Sequence, residues 1–483
     1  MIVDSLERLA DRCLLPGFIG TEAPDWILRR AAAGLGGVCL YARNVSSPAQ
    51  LAALTARLHA ENPRLVVAVD EEGGDVTRLE AASGSSYPGN LALGVVDDVD
   101  LTRAVARSMG ADLAAAGIDL DLAPVADVNS NPINPVIGVR AFGARHPLVA
   151  RHTAAWIAAL QEAGVAACAK HFPGHGATSL DSHLALPVVD EDPHEGALDP
   201  FRAAIAAGVR AVMSAHIVVP STDSLPGTIS KKVMTGLLRG ELGFDGLAVS
   251  DGLEMRAIAG GVGIEEGTVL ALAAGCDLLC VGGGLAGEDI ADELRGAIVA
   301  AVRNGRVSED RLVEAGGRVD RLALWRSAQA PSHASDPSVG LIAARRALRA
   351  EGSVKVDRRP VVVQLRSMPS QAAGVVPWGL AAPLRELGMR PTSIELDHQP
   401  ASARLEGILT EAAGRSLVIV AKNLHRHPWM VAVAEGLLAH RPDAVTVEMG
   451  LPACRPAGSA AYIATHGAAR ACGIAAAEAL TGR

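Results

Sequence analysis

Aromatic side chains are scarce, at 3% of 483 residues, too few to line a broad binding face with rings. Ala and Gly abound instead, and 49% of the chain is apolar, which suits close packing of helices on a sheet. No segment reaches the roughly 18 consecutive apolar residues of a membrane span. The opening MIVDSLERLADRCLLPGF carries Asp and Glu early and has no unbroken apolar stretch, so no secretory leader is expected and the cytoplasm is the expected compartment. An excess of basic charge is also missing: the formal charge is −9 and no Lys/Arg stripe occurs, which removes the electrostatic footprint of a nucleic-acid or anionic-membrane binder. Cysteines are few and odd in number, seven, and most lie in apolar runs such as GVCLY and CDLLCVG. They read as buried thiols, and Cys276 with Cys280 lacks the second Cys or His pair of a structural metal site.

The chain is long enough for two domains. From residue 13 to 282, short β-branched runs alternate with amphipathic helical stretches, the pattern of parallel strands joined by helical crossovers. Eight strand candidates begin at Cys13, Gly37, Leu65, Ile118, Val165, Val209, Gly246 and Cys276, and predict a (β/α)8 TIM-type barrel. The stretch SAQAPSHASDPS loses periodicity and gains Pro and Ser, as linkers do. The expected division is a barrel over 1–328, a linker over 329–338 and a smaller three-layer α/β sandwich domain over 339–483, with strands from Pro360, Ser416, Ala444 and Ala461. Every residue assigned to chemistry below precedes that linker, so a chain ending near Ala328 is expected to fold and keep activity.

Asp70, Asp127, Lys170, His171, His216 and Asp251 each fall where an apolar strand run ends, the rim on which barrel enzymes carry their chemistry. Between Ala169 and Pro187, AKHFPGHGATSLDSHLALP packs three His, a Lys and an Asp around a Pro-Gly turn, and reads as an active-site loop. Gly176 would keep its backbone pliable. In DSH, Asp181 and His183 lie two apart, so an extended backbone puts them on one side and lets the carboxylate orient the imidazole. The same pair also serves as a turn or capping feature. Asp251 in AVSDGLEM ends a strand and would project into the barrel mouth as a nucleophile, or else cap the helix that follows. A zinc site of His171, His175 and His183 is conceivable, but the spacing matches no HExxH helix. His175, His216 and Met255 are further candidates.

In this order, VDEEGG, KHFPGHG, DSH and VSDGLEM resemble glycoside hydrolase family 3, in its branch of bacterial cytoplasmic β-N-acetylglucosaminidases of the peptidoglycan-recycling type. The resemblance runs from Leu14 to about Arg321 through LPGF, LAPVADVN and NPVIGVRAFG, and beyond Ser338 extends to the family's more variable second domain. Members acting on glucosides or xylosides generally lack the KHFPGHG and DSH combination and take a Glu acid/base from the second domain. The resemblance implies retaining exo-hydrolysis of terminal β-linked N-acetylglucosamine, with Asp251 as nucleophile and His183, held by Asp181, as acid/base. It assigns Asp70, Arg78, Arg140, Lys170 and His171 to the sugar hydroxyls and calls for no cofactor or metal. Muropeptide or chitin fragments are the implied carbohydrate substrates. Phosphorolysis by the same groups is the alternative, since an imidazole does not repel phosphate as a carboxylate would. A non-catalytic sugar-binding protein is the reading from another class. Two departures bear on the aglycone: Glu71 stands where the family often has Gln, and Asp75 where it often has Arg.

Overall fold

The computed structural model describes residues 5–329 and 334–483; residues 330–333 of the expected linker lie outside them. These residues form two compact units. The first comprises the chain up to Glu71, Thr102–Ile137 and Ala144–Ser335, and the second Glu72–Leu101, Gly138–Gly143 and Asp336–Arg483.

In the first unit all eight strand runs are strands: β1 (Leu14–Pro16), β2 (Gly37–Leu40), β3 (Val66–Val69), β4 (Leu120–Asp121), β5 (Ala166–Phe172), β6 (Ala211–Ser214), β7 (Leu247–Val249) and β8 (Leu279–Val281). Strands β2 to β7 pair in sequence order, all parallel. A bridge from Val249 to Leu278 links β7 to β8, and β8 pairs with β1, so the sheet curls into a (β/α)8 barrel. Helices return the chain where apolar periodicity places them. Pro48–Glu61 starts on Ser47, whose Oγ accepts the Gln50 N–H at 3.1 Å, the usual way to satisfy an orphan first-turn donor.

The barrel interior is filled from alternate strand positions, Val66 with Ala68, Ala166 with Cys168, Ala211 with Met213 and Leu278 with Cys280 among them. Helix Glu309–Ser327 adds Val319, Leu322 and Ala323 to the same core. The thiols of Cys39, Cys168 and Cys280 thus serve as small apolar fillers. Just before β8 the fully buried Asp277 takes Arg239 (2.6 Å), Arg311 (2.8 Å) and Arg318 (3.2 Å) and accepts the Ala248 N–H (2.9 Å). Arginines from two helical segments are therefore tied to the seam between β7 and β8.

The second unit is built on a six-stranded sheet: β9 (Arg349–Glu351), β10 (Val361–Leu365), β11 (Thr392–Leu396), β12 (Leu417–Ala421), β13 (Val445–Glu448) and β14 (Ala461–Ala464). Their spatial order is β9-β14-β13-β12-β10-β11, parallel except for β9. From β10 the chain first winds to one side, to β11, and then crosses to the other, to β12. Apolar cores cover both faces, which makes the three layers. Strands β9 and β11 were not among the expected ones. The first is wholly exposed and the second exposes alternate residues, so neither carries an apolar run.

The division departs from the linear boundary at 328, because two stretches of the expected barrel segment pack with the C-terminal part. Asp75 bridges Lys422 at 2.7 Å and accepts the Ala468 N–H at 3.1 Å. Arg78 donates to the carbonyls of Ala372 (2.8 Å) and Ala373 (3.4 Å), and Asp98 pairs with Arg346 at 2.8 Å. Gly340 lies so close to Ser86 that a Cβ there would stand 2.1 Å from the Ser86 carbonyl oxygen.

Candidate active site

The rim residues of the first unit interlock through hydrogen bonds. Strand β3 ends at Val69 and presents Asp70, whose Oδ1 meets the buried Lys170 Nζ at 2.7 Å. Asp127, fully buried beyond β4, accepts three N–H groups: His171 Nδ1 at 2.7 Å, the His171 backbone at 3.2 Å and the His175 backbone at 2.6 Å. Burial works to raise the Asp127 carboxyl, yet the His171 imidazole and these donors hold it below the usual range. One carboxylate therefore anchors both ends of KHFPGH.

The rest of that loop is held as closely. Asn134 Nδ2 donates to the carbonyls of His175 (2.9 Å) and Gly176 (3.0 Å). His175 bonds Thr178 through Nδ1 (2.9 Å) and Ser182 through Nε2 (3.0 Å). Burial drives its imidazole down to about 4, so it is neutral near pH 7 and shapes the loop. Gly176 serves close approach more than pliability, since a Cβ there would lie 1.8 Å from the Val128 carbonyl oxygen. The zinc alternative finds no support in this geometry: among the described residues no group of three or more His, Cys, Asp and Glu is arranged to hold a metal.

Asp181 and His183 do form a pair, although not on an extended backbone. Asp181 Oδ1 accepts both the His183 backbone N–H (2.9 Å) and its Nδ1–H (2.7 Å), and the Leu184 N–H returns to the Asp181 carbonyl at 2.9 Å. This is an Asx turn, in which a short side chain caps the backbone two residues on. Orientation of the imidazole follows from the turn: Nδ1 is bound to Asp181, which leaves Nε2 as the nitrogen for proton exchange.

Asp251 lies two residues beyond β7, half-buried, and its Oδ1 accepts the Gly252 N–H at 2.8 Å. Burial pushes its carboxyl up, but the imidazoles of His216, His171 and His183, with the Gly252 N–H, outweigh that and hold it at about 2. His216 cannot also carry protons in this arrangement. Its Nε2 donates to the Gly252 carbonyl at 2.8 Å and its Nδ1 meets Thr228 Oγ1 at 2.7 Å, so it fixes the turn after Asp251. Burial lowers its own affinity for a second proton. Met255, buried, closes the same turn by donating its N–H to Gly252 at 3.0 Å. Glu254 Oε1 takes the backbone N–H groups of Gly282 (2.9 Å), Gly283 and Gly284, tying this turn to the loop after β8.

The chain matches the Glycosyl hydrolase family 3 N terminal domain over residues 21–322. It belongs to glycosyl hydrolase family 3. A family member from Paenibacillus sp. str. FPU-7, a β-N-acetylglucosaminidase, superposes with a TM-score of 0.89 at 34% identity over 99% of this chain and 97% of that one. The β-hexosaminidase of Alkalilimnicola ehrlichii is 38% identical over 330 residues, which is 63% of this chain and 90% of that protein. The β-N-acetylhexosaminidase of Beutenbergia cavernae matches 66% of this chain and 98% of its own at 32% identity, with a TM-score of 0.61.

Of the residues expected to serve a family 3 site, Asp70, Lys170, His171, His175, Asp181, His183, His216, Asp251 and Met255 all belong to the first unit. Arg78 and Arg140 belong to the second. There Arg140 forms a buried fork with Glu72, Nε and Nη2 each 2.8 Å from a carboxylate oxygen. Asn134, Thr178, Ser182 and Glu254 were missed as supporting groups. Asn134 could have been suspected from its place in the NPVIG run. The others carry no pattern that separates them from ordinary loop residues.

Proposed function

We propose that this glycoside hydrolase removes terminal, non-reducing β-linked N-acetylglucosamine by double displacement. Asp251 attacks the anomeric carbon while His183 Nε2 gives its proton to the departing oxygen. The same nitrogen then takes a proton from the water that opens the glycosyl–Asp251 ester, so configuration is retained. Asp181 stabilises the imidazolium and holds its orientation. Asp70, Lys170 and His171 are assigned to the sugar hydroxyls, where charge-assisted hydrogen bonds reject a ring that lacks them. The observation that carries the reading is an Asp251 held ionised near neutral pH together with a turn-locked Asp181–His183 dyad. Terminal residues of muropeptide and chitin fragments are the proposed substrates.

The decisive test uses His183→Ala. With a nitrophenyl leaving group the first step needs little proton donation, whereas water still needs a base. A burst of nitrophenol followed by slow turnover is expected, with azide restoring the rate and yielding the β-glycosyl azide. Asp181→Asn should give a milder form of the same behaviour. Equal losses on all leaving groups without azide product would remove His183 from the chemistry. Inorganic phosphate in place of azide, tested on the wild type, discriminates phosphorolysis: release of a sugar 1-phosphate would replace hydrolysis as the reaction.

A further inference from the structure

Asp181 and His183 sit on a stretch that makes little contact with the rest of the first unit. Its ends are pinned: Thr178 Oγ1 accepts from Asn134 Nδ2 at 3.2 Å, and the Pro187 carbonyl accepts the Val218 N–H at 2.9 Å. Of the described residues 179–186 only Ser182 is buried, while Leu180 and Leu184, on either side of the dyad, are exposed. Among the described residues, the hydrogen bonds of 179–186 to other parts of the unit also run through Ser182 alone.

Two such bonds reach it. The Ser182 hydroxyl meets His175 Nε2 at 3.0 Å, and the Ser182 carbonyl accepts the Ala257 N–H at 3.3 Å. His175 is anchored through its backbone N–H to Asp127. Ala257 stands in the helix Arg256–Ala259, which starts on Met255, the residue that closes the Asp251 turn. The direction of the hydroxyl bond follows from its neighbours. Thr178 Oγ1 gives its single proton to the His175 carbonyl at 3.2 Å, so toward Nδ1, 2.9 Å away, it accepts. Burial keeps the His175 imidazole neutral, with one N–H. Nε2 is therefore bare, and the Ser182 hydroxyl is the donor.

We propose that Ser182 is a positioning residue for the acid/base step, whose two bonds set His183 Nε2 at its working distance from the glycosidic oxygen; the role rests on the function proposed above. A misplacement of a reacting group by about 1 Å can cost roughly a hundredfold in rate. The Asp181–His183 turn is closed by its own hydrogen bonds, so loss of the Ser182 hydroxyl displaces the dyad without taking it apart. The test compares kcat/KM, which reports the steps through departure of the leaving group, on dinitrophenyl N-acetylglucosaminide and on diacetylchitobiose. Ser182→Ala should lower the value about tenfold on the disaccharide, whose leaving oxygen needs a proton, and leave the dinitrophenyl value within about twofold of wild type. Ser182→Cys keeps the space filled with only a weak donor; it should show the same selectivity, and it carries the test if the alanine variant does not fold. Equal losses on both substrates, or no loss on the disaccharide, would overturn the role. His183→Ala on the same two substrates separates this role from the catalytic reading. Selectivity in His183→Ala but not in the Ser182 variants would remove Ser182 alone, whereas its absence in His183→Ala would remove the catalytic reading and the Ser182 role with it.

Discussion

Asp251 stays ionised near neutral pH because three imidazoles and one backbone N–H outweigh its burial, and the mechanism proposed above makes it the nucleophile. Asp251→Ala should therefore lower kcat on aryl N-acetylglucosaminides by at least about three orders of magnitude, about 4 kcal/mol, with an unchanged circular dichroism spectrum. A pure variant that keeps a tenth of the activity would exclude the role. His175 shows the opposite balance. Its imidazole, held at about 4 against an ordinary 6.5, refuses a proton that the unfolded chain accepts. Stability is then complete above pH 6.5 and is lost as the pH falls toward 4, by up to roughly 3 kcal/mol. Asp251 adds its own loss only lower, as the pH falls from 3.8 through about 2. His175→Gln should flatten the fall in urea midpoint between about pH 7 and about pH 4.5; a wild-type slope retained in the variant would assign acid sensitivity to other groups. DSH was legible as a pair. Its turn was not, because spacing alone does not distinguish a side chain that reaches its own backbone from one that lies along a strand.

At the scale of elements, eight apolar runs were enough to read eight barrel strands, since a strand buried on both faces writes itself as a near-continuous hydrophobic run. The rim positions were legible for the same reason: Asp70, His216 and Asp251 stand one or two residues past the strands that those runs became. Edge strands β9 and β11 left no such signal. Nor did the seam between β7 and β8, where Asp277 holds Arg239 and, from a helix more than thirty residues on, Arg311 and Arg318. Removing it takes away the one buried carboxylate that the three share, leaving Arg311 and Arg318 only Glu314 and Asp245, both exposed. Asp277→Ala should destabilise the protein by about 3–5 kcal/mol in urea unfolding, while the folded fraction keeps its kcat. A change below about 1 kcal/mol would mean that the arginines find water instead.

Across the whole molecule, a boundary drawn by composition put the end of the catalytic part near Ala328, and contacts draw it differently. Composition registers where a linker is; it does not register that Asp75, Arg78 and Asp98 have their partners at Lys422, Ala372, Ala373 and Arg346. In this chain, truncation after Ala328 strips partners from residues 72–101, and the expected product is a destabilised, largely inactive protein, against the expectation from composition. Measurement of solubility, melting and aryl-glycoside turnover decides it; a cooperative melt with near wild-type turnover would show that the segment folds without those partners. The filling of the barrel by thiols has a consequence for measurement. Cys39, Cys168 and Cys280 can be alkylated only when the core admits a reagent, while Cys454, partly exposed, reacts without such an opening and serves as the reference. The time course of mass labelling at those three positions, divided by that at Cys454, is thus a clock for the rare openings of the barrel, read at natural residues with no probe introduced.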